Sequence, residues 1–286
     1  MFEKRLAEAA ATARACLIES LPENGPMTEP MAYAVRGGKG LRGFLVLESA
    51  ALLGVPESAA RFLAAAIEAI HAYSLVHDDL PAMDDDDLRR GQPTVHRKWD
   101  EATAILVGDA LQSTAFELVM RDEVGSAQVR VALARALAEA AGARGMVLGQ
   151  ALDIAAESAA SPLTLDEIIA LQAGKTGALI RWSAMSGALL AGQDPAPLAR
   201  FGEALGLAFQ IADDVLDVEG DVATVGKAVG KDASAGKATF VSLLGLAPAK
   251  NRARDLVNEA VAALSPYGER AETLREAARF VIARET

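Results

Sequence analysis

Residues 57–90 read "ESAARFLAAAIEAIHAYSLVHDDLPAMDDDDLRR", and the join between the two halves of this stretch decides how the chain is read. The first half is alanine, leucine and isoleucine at helical spacing with no glycine or proline inside it. That predicts one long helix over 57–80, with "PES" at its start and Pro81 just past its end. The second half sets six aspartates between Asp78 and Asp87 and follows them with Arg89 and Arg90. Taken alone, such an acidic run is a solvated helix end. It gains chemical meaning only if another part of the chain repeats the arrangement.

Outward from this stretch, nearly every long segment keeps the helical period. Helices are predicted over 2–21, 41–53, 101–122, 126–141, 143–158, 164–191, 196–218, 247–264 and 267–284. The piece "GFLVLE" could pass for a strand, but no alternation or hairpin turn accompanies it. Breaks are short, and no repeat or low-complexity linker divides the chain. The longest irregular stretches, 81–100 and 219–238, each follow an aspartate cluster. The expectation is an all-α protein, a single domain over 1–286 built as one large helical bundle of roughly ten helices.

Composition agrees. Of the 286 residues 51% are hydrophobic but only 5% aromatic, so alanine and leucine carry the core and favour close-packed helices. The net charge of −11 excludes a general nucleic-acid binder and disfavours anionic membranes. Cys16 is the one cysteine, which leaves no disulfide framework. The first twenty residues lack the apolar run of a signal peptide, and no run is read as a membrane span, so the expected location is the cytoplasm.

The repeat of the acidic arrangement is "FQIADDVLDVEGD" at 209–221. Asp213 and Asp217 stand at i and i+4 on one helical face, with Asp214 beside them. Carboxylates clustered at the end of an apolar helix repel one another unless a cation sits among them, and a hard ion such as Mg²⁺ suits oxygen donors. Each cluster leads into basic residues. "RGGKGLRG" brings Arg36, Lys39 and Arg42, and "GKTG" brings Lys175. "VGKAVGKDASAGKAT" brings Lys227, Lys231 and Lys237. Glycines beside lysines allow close approach to an anion, so these point to phosphate-bearing ligands. Gly38, Gly40 and Gly43 match a dinucleotide fingerprint by spacing, but no strand precedes them. The 226–239 stretch misses the nucleotide P-loop by one residue and lacks its serine or threonine. His71 lies seven residues before Asp78, on nearly the same face. It is either a structural histidine or part of the acidic site.

With these motifs in hand, the chain resembles the short-chain trans-prenyl diphosphate synthases, an all-α isoprenoid synthase fold around a central cavity. "DDLPAMD" (Asp78, Asp79, Asp84) is similar to the family's first aspartate-rich motif and "FQIADDVLD" to its second. "GGK", "LRRG", "KTG" and "GK…GKAT" match its other signatures, over residues 31–245. The resemblance implies condensation of isopentenyl diphosphate with an allylic diphosphate, with three Mg²⁺ ions that Mn²⁺ can replace. It implies direct metal ligation by Asp78, Asp84 and Asp213, with Asp79, Asp214 and Asp217 bridging or orienting water. Arg89, Lys175, Lys227 and Lys237 would draw charge from the leaving diphosphate. Lys39, Arg42, His71 and Arg90 would hold isopentenyl diphosphate without metal. Thr176 and Gln210 match positions that stabilise the allylic cation; locally they read equally as a helix hydroxyl and a satisfied amide. A homodimer is typical of such proteins.

Product length would depend on what lies beneath Asp78. Ser74 is one turn below it, and Tyr73 is large enough to lean across. An aromatic residue there is typical of fifteen-carbon producers in the family, so that product is expected. Two departures stand out: Gly40 occupies a position where arginine is common, and Gly43 one where proline is common. The C-terminal "FVIARET" is also less basic than in many relatives. The competing readings are a twenty-carbon (geranylgeranyl) synthase, a class I terpene cyclase, and a non-catalytic helical subunit. Lys39, Arg42 and the second aspartate motif speak against the cyclase, and the undegraded aspartate motifs against the non-catalytic subunit.

Overall fold

The computed structural model describes residues 2–159, 161–219 and 239–283. The chain is about 78% helical, and the only strands among the described residues are two of two residues each. The all-α class expected from the sequence is therefore what is found. The helices gather into two compact units, Met1–Arg135 with Ser186–Gln193, and Ala136–Met185 with Asp194–Thr286.

In the first unit, α1 (Phe2–Glu19), α2 (Thr28–Ala34), α3 (Leu41–Leu52) and α4 (Glu57–Asp78) precede the first acidic cluster. Helix α4 is the spine. Phe62, Leu63, Ile67, Ile70, Tyr73 and Val76 are buried, and so are the alanines between them. A helix apolar on every side must be enclosed, and α1, α3 and α6 (Glu101–Val119) pack around it. Each large apolar side chain so buried contributes about 1.5–3 kcal/mol. Among the described residues, α4 is the one helix long and apolar enough to cross a membrane by length and composition. Yet 67% of its most apolar window is buried within the protein, which marks it as a core helix. Helix α6 starts where Asp100 accepts the Thr103 amide at 2.6 Å, an N-cap that fixes its first turn.

The stretch 81–100, expected to be irregular, contains structure. Leu88–Arg89 (β1) and Gln92–Pro93 (β2) pair antiparallel as a small hairpin, followed by α5 (Val95–Lys98). The turn residues Arg90 and Gly91 both lie at positive φ, 53° and 74°. This is the backbone of a two-residue hairpin turn, which asparagine–glycine usually signals and arginine–glycine does not. Tyr33 donates its hydroxyl to the Pro93 carbonyl at 2.7 Å, and Thr94 donates its amide to the Asp87 carbonyl at 3.0 Å. These bonds close the loop around the hairpin.

Helix α7 (Ala127–Ala141) leads from the first unit to the second. The second unit holds α8 (Met146–Glu157) and α9 (Leu165–Gln172), then a single π-helical turn over Ala173–Gly177, then α10 (Ala178–Ala191), whose end belongs to the first unit. Helix α9 opens with a capping box between Thr164 and Glu167. Helix α11 (Ala196–Glu219) packs along α13 (Leu246–Ala263), with α12 (Phe240–Leu244) before it and α14 (Glu272–Ala283) after it.

Candidate active site

The first aspartate set is built at the C-terminal end of α4. Asp78 ends the helix and Asp79 caps it. Pro81 prevents continuation, and the chain turns back so that Asp84 donates its amide to the Asp78 carbonyl at 2.8 Å. A four-residue spacer thus returns Asp84 to the helix end, as helical periodicity would for a shorter spacer. Asp79 is buried and bonded to the Arg89 guanidinium, with Nε at 2.9 Å; Asp86 lies 3.6 Å from the same arginine. Burial raises the Asp79 pKa, and Arg89 only partly opposes it. Burial is the largest influence on the Arg89 pKa and lowers it, but the bond to Asp79 and the charges of Asp79, Asp86 and Asp78 together leave it raised. The two shifts agree that the pair is desolvated.

Beside this end lies a hollow lined by Arg14, Gly37, Gly40, Glu68, His71 and Arg90 among others. Arg90 donates to the Arg36 carbonyl at 3.0 Å, and its guanidinium lies over Gly38. A side chain at 38 would begin 2.7 Å from it. Burial, then Arg42, Arg90 and Arg89, hold the His71 imidazole well below its usual pKa, so it is neutral at pH 7. Of the four residues expected to hold isopentenyl diphosphate, His71 and Arg90 line one hollow, and the charge of Arg42 acts on His71. Lys39 sits exposed in the loop just before α3. Gly40, where arginine is common in relatives, is at φ 65°, and a Cβ there would fall 2.5 Å from that of Ala10. No side chain fits at 40 while α1 lies where it does.

The second set lies on α11. Asp213 and Asp217 are half-buried on the same face, and Asp214 is buried. Asp214 accepts the Phe240 amide at 2.7 Å and so ties the helix to the start of α12. Gln210, one turn before Asp214, donates from its side-chain Nε2 to the side-chain Oε1 of Gln172 at 2.8 Å, which leaves its own side-chain oxygen for another partner. Lys227 and Lys237 lie outside the described residues.

Lys175 and Thr176 occupy the π turn. That turn bulges toward α8, where Gly149 has no room for a side chain: a Cβ would meet the Lys175 nitrogen at 2.0 Å. One turn along α8, Asp153 pairs with the Lys175 ammonium at 2.6 Å. Sequence reasoning overlooked Asp153, Glu68 and Gln172. The signal for Asp153 was "GQALD" at 149–153, whose glycine and aspartate stand at i and i+4. Beneath the first set, Tyr73 is buried with its ring edge-on to His77 at 5.8 Å, and the Ser74 hydroxyl donates to the His71 carbonyl at 2.9 Å.

The donor chemistry suits a hard divalent cation, since both sets offer only carboxylate oxygens. Among the described residues no three acidic, histidine or cysteine side chains are gathered into a ready cage.

Two carboxylate sets at or after the ends of long apolar helices, the first paired with Arg89, on an all-α fold define a class, and the comparisons agree. The polyprenyl synthetase family profile matches residues 25–277, and the chain belongs to that family. Farnesyl diphosphate synthase of Haemophilus influenzae is 46% identical over 92% of this chain and 90% of that protein. The Escherichia coli farnesyl diphosphate synthase is 46% identical over 93% and 92% respectively. A solved FPP/GFPP synthase from Zymomonas mobilis superposes with a TM-score of 0.89 at 42% identity, covering 98% of both chains. Geranylgeranyl pyrophosphate synthetase from Pyrococcus horikoshii superposes with a TM-score of 0.91 at 33% identity, covering 99% of this chain and 98% of that one. The family uses divalent metal ions.

Proposed function

We propose that this chain is a prenyltransferase that condenses isopentenyl diphosphate with dimethylallyl or geranyl diphosphate and delivers (2E,6E)-farnesyl diphosphate. The observation that carries this reading is the presence of two carboxylate sets at helix ends, the first paired with Arg89, at high identity to farnesyl diphosphate synthases over most of the chain. One catalytic domain over 1–286 serves the reaction.

Asp78, Asp84 and Asp213 would ligate Mg²⁺, three ions in all, with Asp79, Asp214 and Asp217 orienting the ligands or water around them. Bound there, the ions neutralise the diphosphate that leaves the allylic carbon. Arg89 and Lys175, with Lys227 and Lys237, add positive charge where that diphosphate accumulates it. Asp79 and Asp153 hold the first two cations in place. The Gln210 oxygen, steered by Gln172, and the Thr176 hydroxyl face the developing carbocation. Lys39, Arg42, His71 and Arg90 hold isopentenyl diphosphate. The allylic C–O bond ionises first, the isopentenyl double bond then attacks the allylic cation through C4 to form the new C–C bond, and the released diphosphate takes the C2 proton as the new double bond forms. Tyr73, with Ser74 beside it, closes the chain path.

The protein is read as a cytoplasmic homodimer. Ile105 and Leu106 on α6, Met120 just after it and Val131 on α7 are large apolar residues left exposed, and a second copy would cover them. Gel filtration with light scattering checks this.

The deciding experiment supplies isopentenyl diphosphate with geranyl diphosphate, in Mg²⁺ or in EDTA, and identifies the products. A metal-dependent fifteen-carbon product is expected. A twenty-carbon product would keep the mechanism and favour a geranylgeranyl synthase, removing Tyr73 as the floor. Absence of elongation by folded protein would sink the reading. The Tyr73→Ala variant should release longer chains.

A further inference from the structure

The hollow beside α4 contains a cation that no role yet uses. Arg14, on α1, is half-buried and lines the hollow together with His71, Arg90 and Glu68. Its Nη2 donates to the Gly37 carbonyl at 3.0 Å. Among the described residues it has no carboxylate partner. The one carboxylate in the lining, Glu68, already accepts the Gly43 amide at 2.8 Å.

Its placement follows from Gly40. Because position 40 carries no side chain, α1 lies directly on it through Ala10, with room for neither a Cβ nor any longer group. One helical turn after Ala10 on the same face comes residue 14. The contact that excludes a side chain at 40 is thus the contact that delivers a guanidinium over Gly37. Helix α1 compensates for the short residue in α3's entry loop.

We propose that Arg14 is a binding residue for isopentenyl diphosphate, supplying from α1 the positive charge that position 40 lacks. The inference rests on the reading that Lys39, Arg42, His71 and Arg90 take this substrate. The bond to the Gly37 carbonyl fixes one edge of the guanidinium, and its remaining N–H groups are available to phosphate oxygens. Arginine suits this task because its fork can serve both partners at once.

The test compares wild type with Arg14→Gln and Arg14→Lys, using steady-state kinetics and calorimetric titration of isopentenyl diphosphate alone. Glutamine can still donate to Gly37 but carries no charge. In Arg14→Gln, the KM and Kd for isopentenyl diphosphate should rise about 5- to 20-fold, the loss expected for one charge-assisted hydrogen bond. The KM for the allylic diphosphate and kcat should stay within about 2-fold. Arg14→Lys should recover part of the affinity. If Arg14→Gln binds isopentenyl diphosphate as wild type does, Arg14 only braces the loop and the inference fails. Equal rises in both KM values, or a fall in kcat alone, would overturn it too. Wild-type protein that neither binds nor consumes isopentenyl diphosphate would instead sink the parent reading, so the two failures are separable.

Discussion

The two carboxylate sets spell nearly the same motif but are built by opposite means. On α11, a continuous helix brings Asp213 and Asp217 to one face, and the helical period alone does the placing. After α4 the helix has ended, and a turn closed by the Asp84 amide on the Asp78 carbonyl restores the spacing. The helical set spends one acid, Asp214, on anchoring the backbone of Phe240. The turn-built set spends one, Asp79, on a buried arginine. Each set thus sacrifices an acid to hold the others. The lesson is that a sequence spacing specifies a geometry only together with the element that carries it.

The comparison can be broken most sharply at the acids themselves. Asp78→Ala and Asp213→Ala should each lower kcat by on the order of 10³-fold under saturating substrate and Mg²⁺. Rates differing greatly between them would show that the sets are not equivalent. Lys175→Met should cost roughly 10²-fold in kcat, and Asp153→Asn, which only loosens the lysine, about 10-fold.

Smaller effects should separate the anchoring acids in stability rather than rate. Arg89→Met strands Asp79 in a buried position and should lower unfolding free energy by about 2 kcal/mol, less than a fully buried pair because Arg89 is partly exposed. Adding Asp79→Asn should restore part of it. Asp214→Ala leaves the Phe240 amide unpaired and should cost about 1–3 kcal/mol, where Asp213→Ala should cost little. Urea denaturation measures all four.

The smallest effect is a pH dependence. His71 has a folded-state pKa below its unfolded value, so the unfolded chain takes up a proton that the folded chain refuses. Its stabilising contribution is complete above about pH 6.5 and declines as pH falls below that, with a slope of at most about 1.4 kcal/mol per pH unit. Denaturation midpoints at pH 7.5, 6.5 and 5.5 should show the decline, and His71→Gln should flatten it.

Much of this architecture was legible in the sequence because it depends on periodicity. Helices α4, α8 and α11 begin and end within a few residues of where apolar spacing, Pro81 and the breaks put them. The carboxylates were legible because like charges seldom gather at apolar helix ends without cause. What escaped depends on tertiary contact. The hairpin at 88–93 lacks a usual turn sequence, and Tyr33, far away in the chain, helps hold it. Asp153 has meaning only once Gly149 lets the Lys175 turn come close. Gly40 looked like a deficit until Ala10 was seen against it.

The π turn at Ala173–Gly177 has a consequence for how this chain can change by insertion and deletion. A single π turn is one residue inserted into an otherwise continuous helix. Losing any one codon within it would let α9 and α10 fuse into an unbroken α-helix, with the downstream face still meeting its neighbours. Lys175 would swing away from Asp153, yet the protein would still fold. Function and foldability here are separated by three nucleotides.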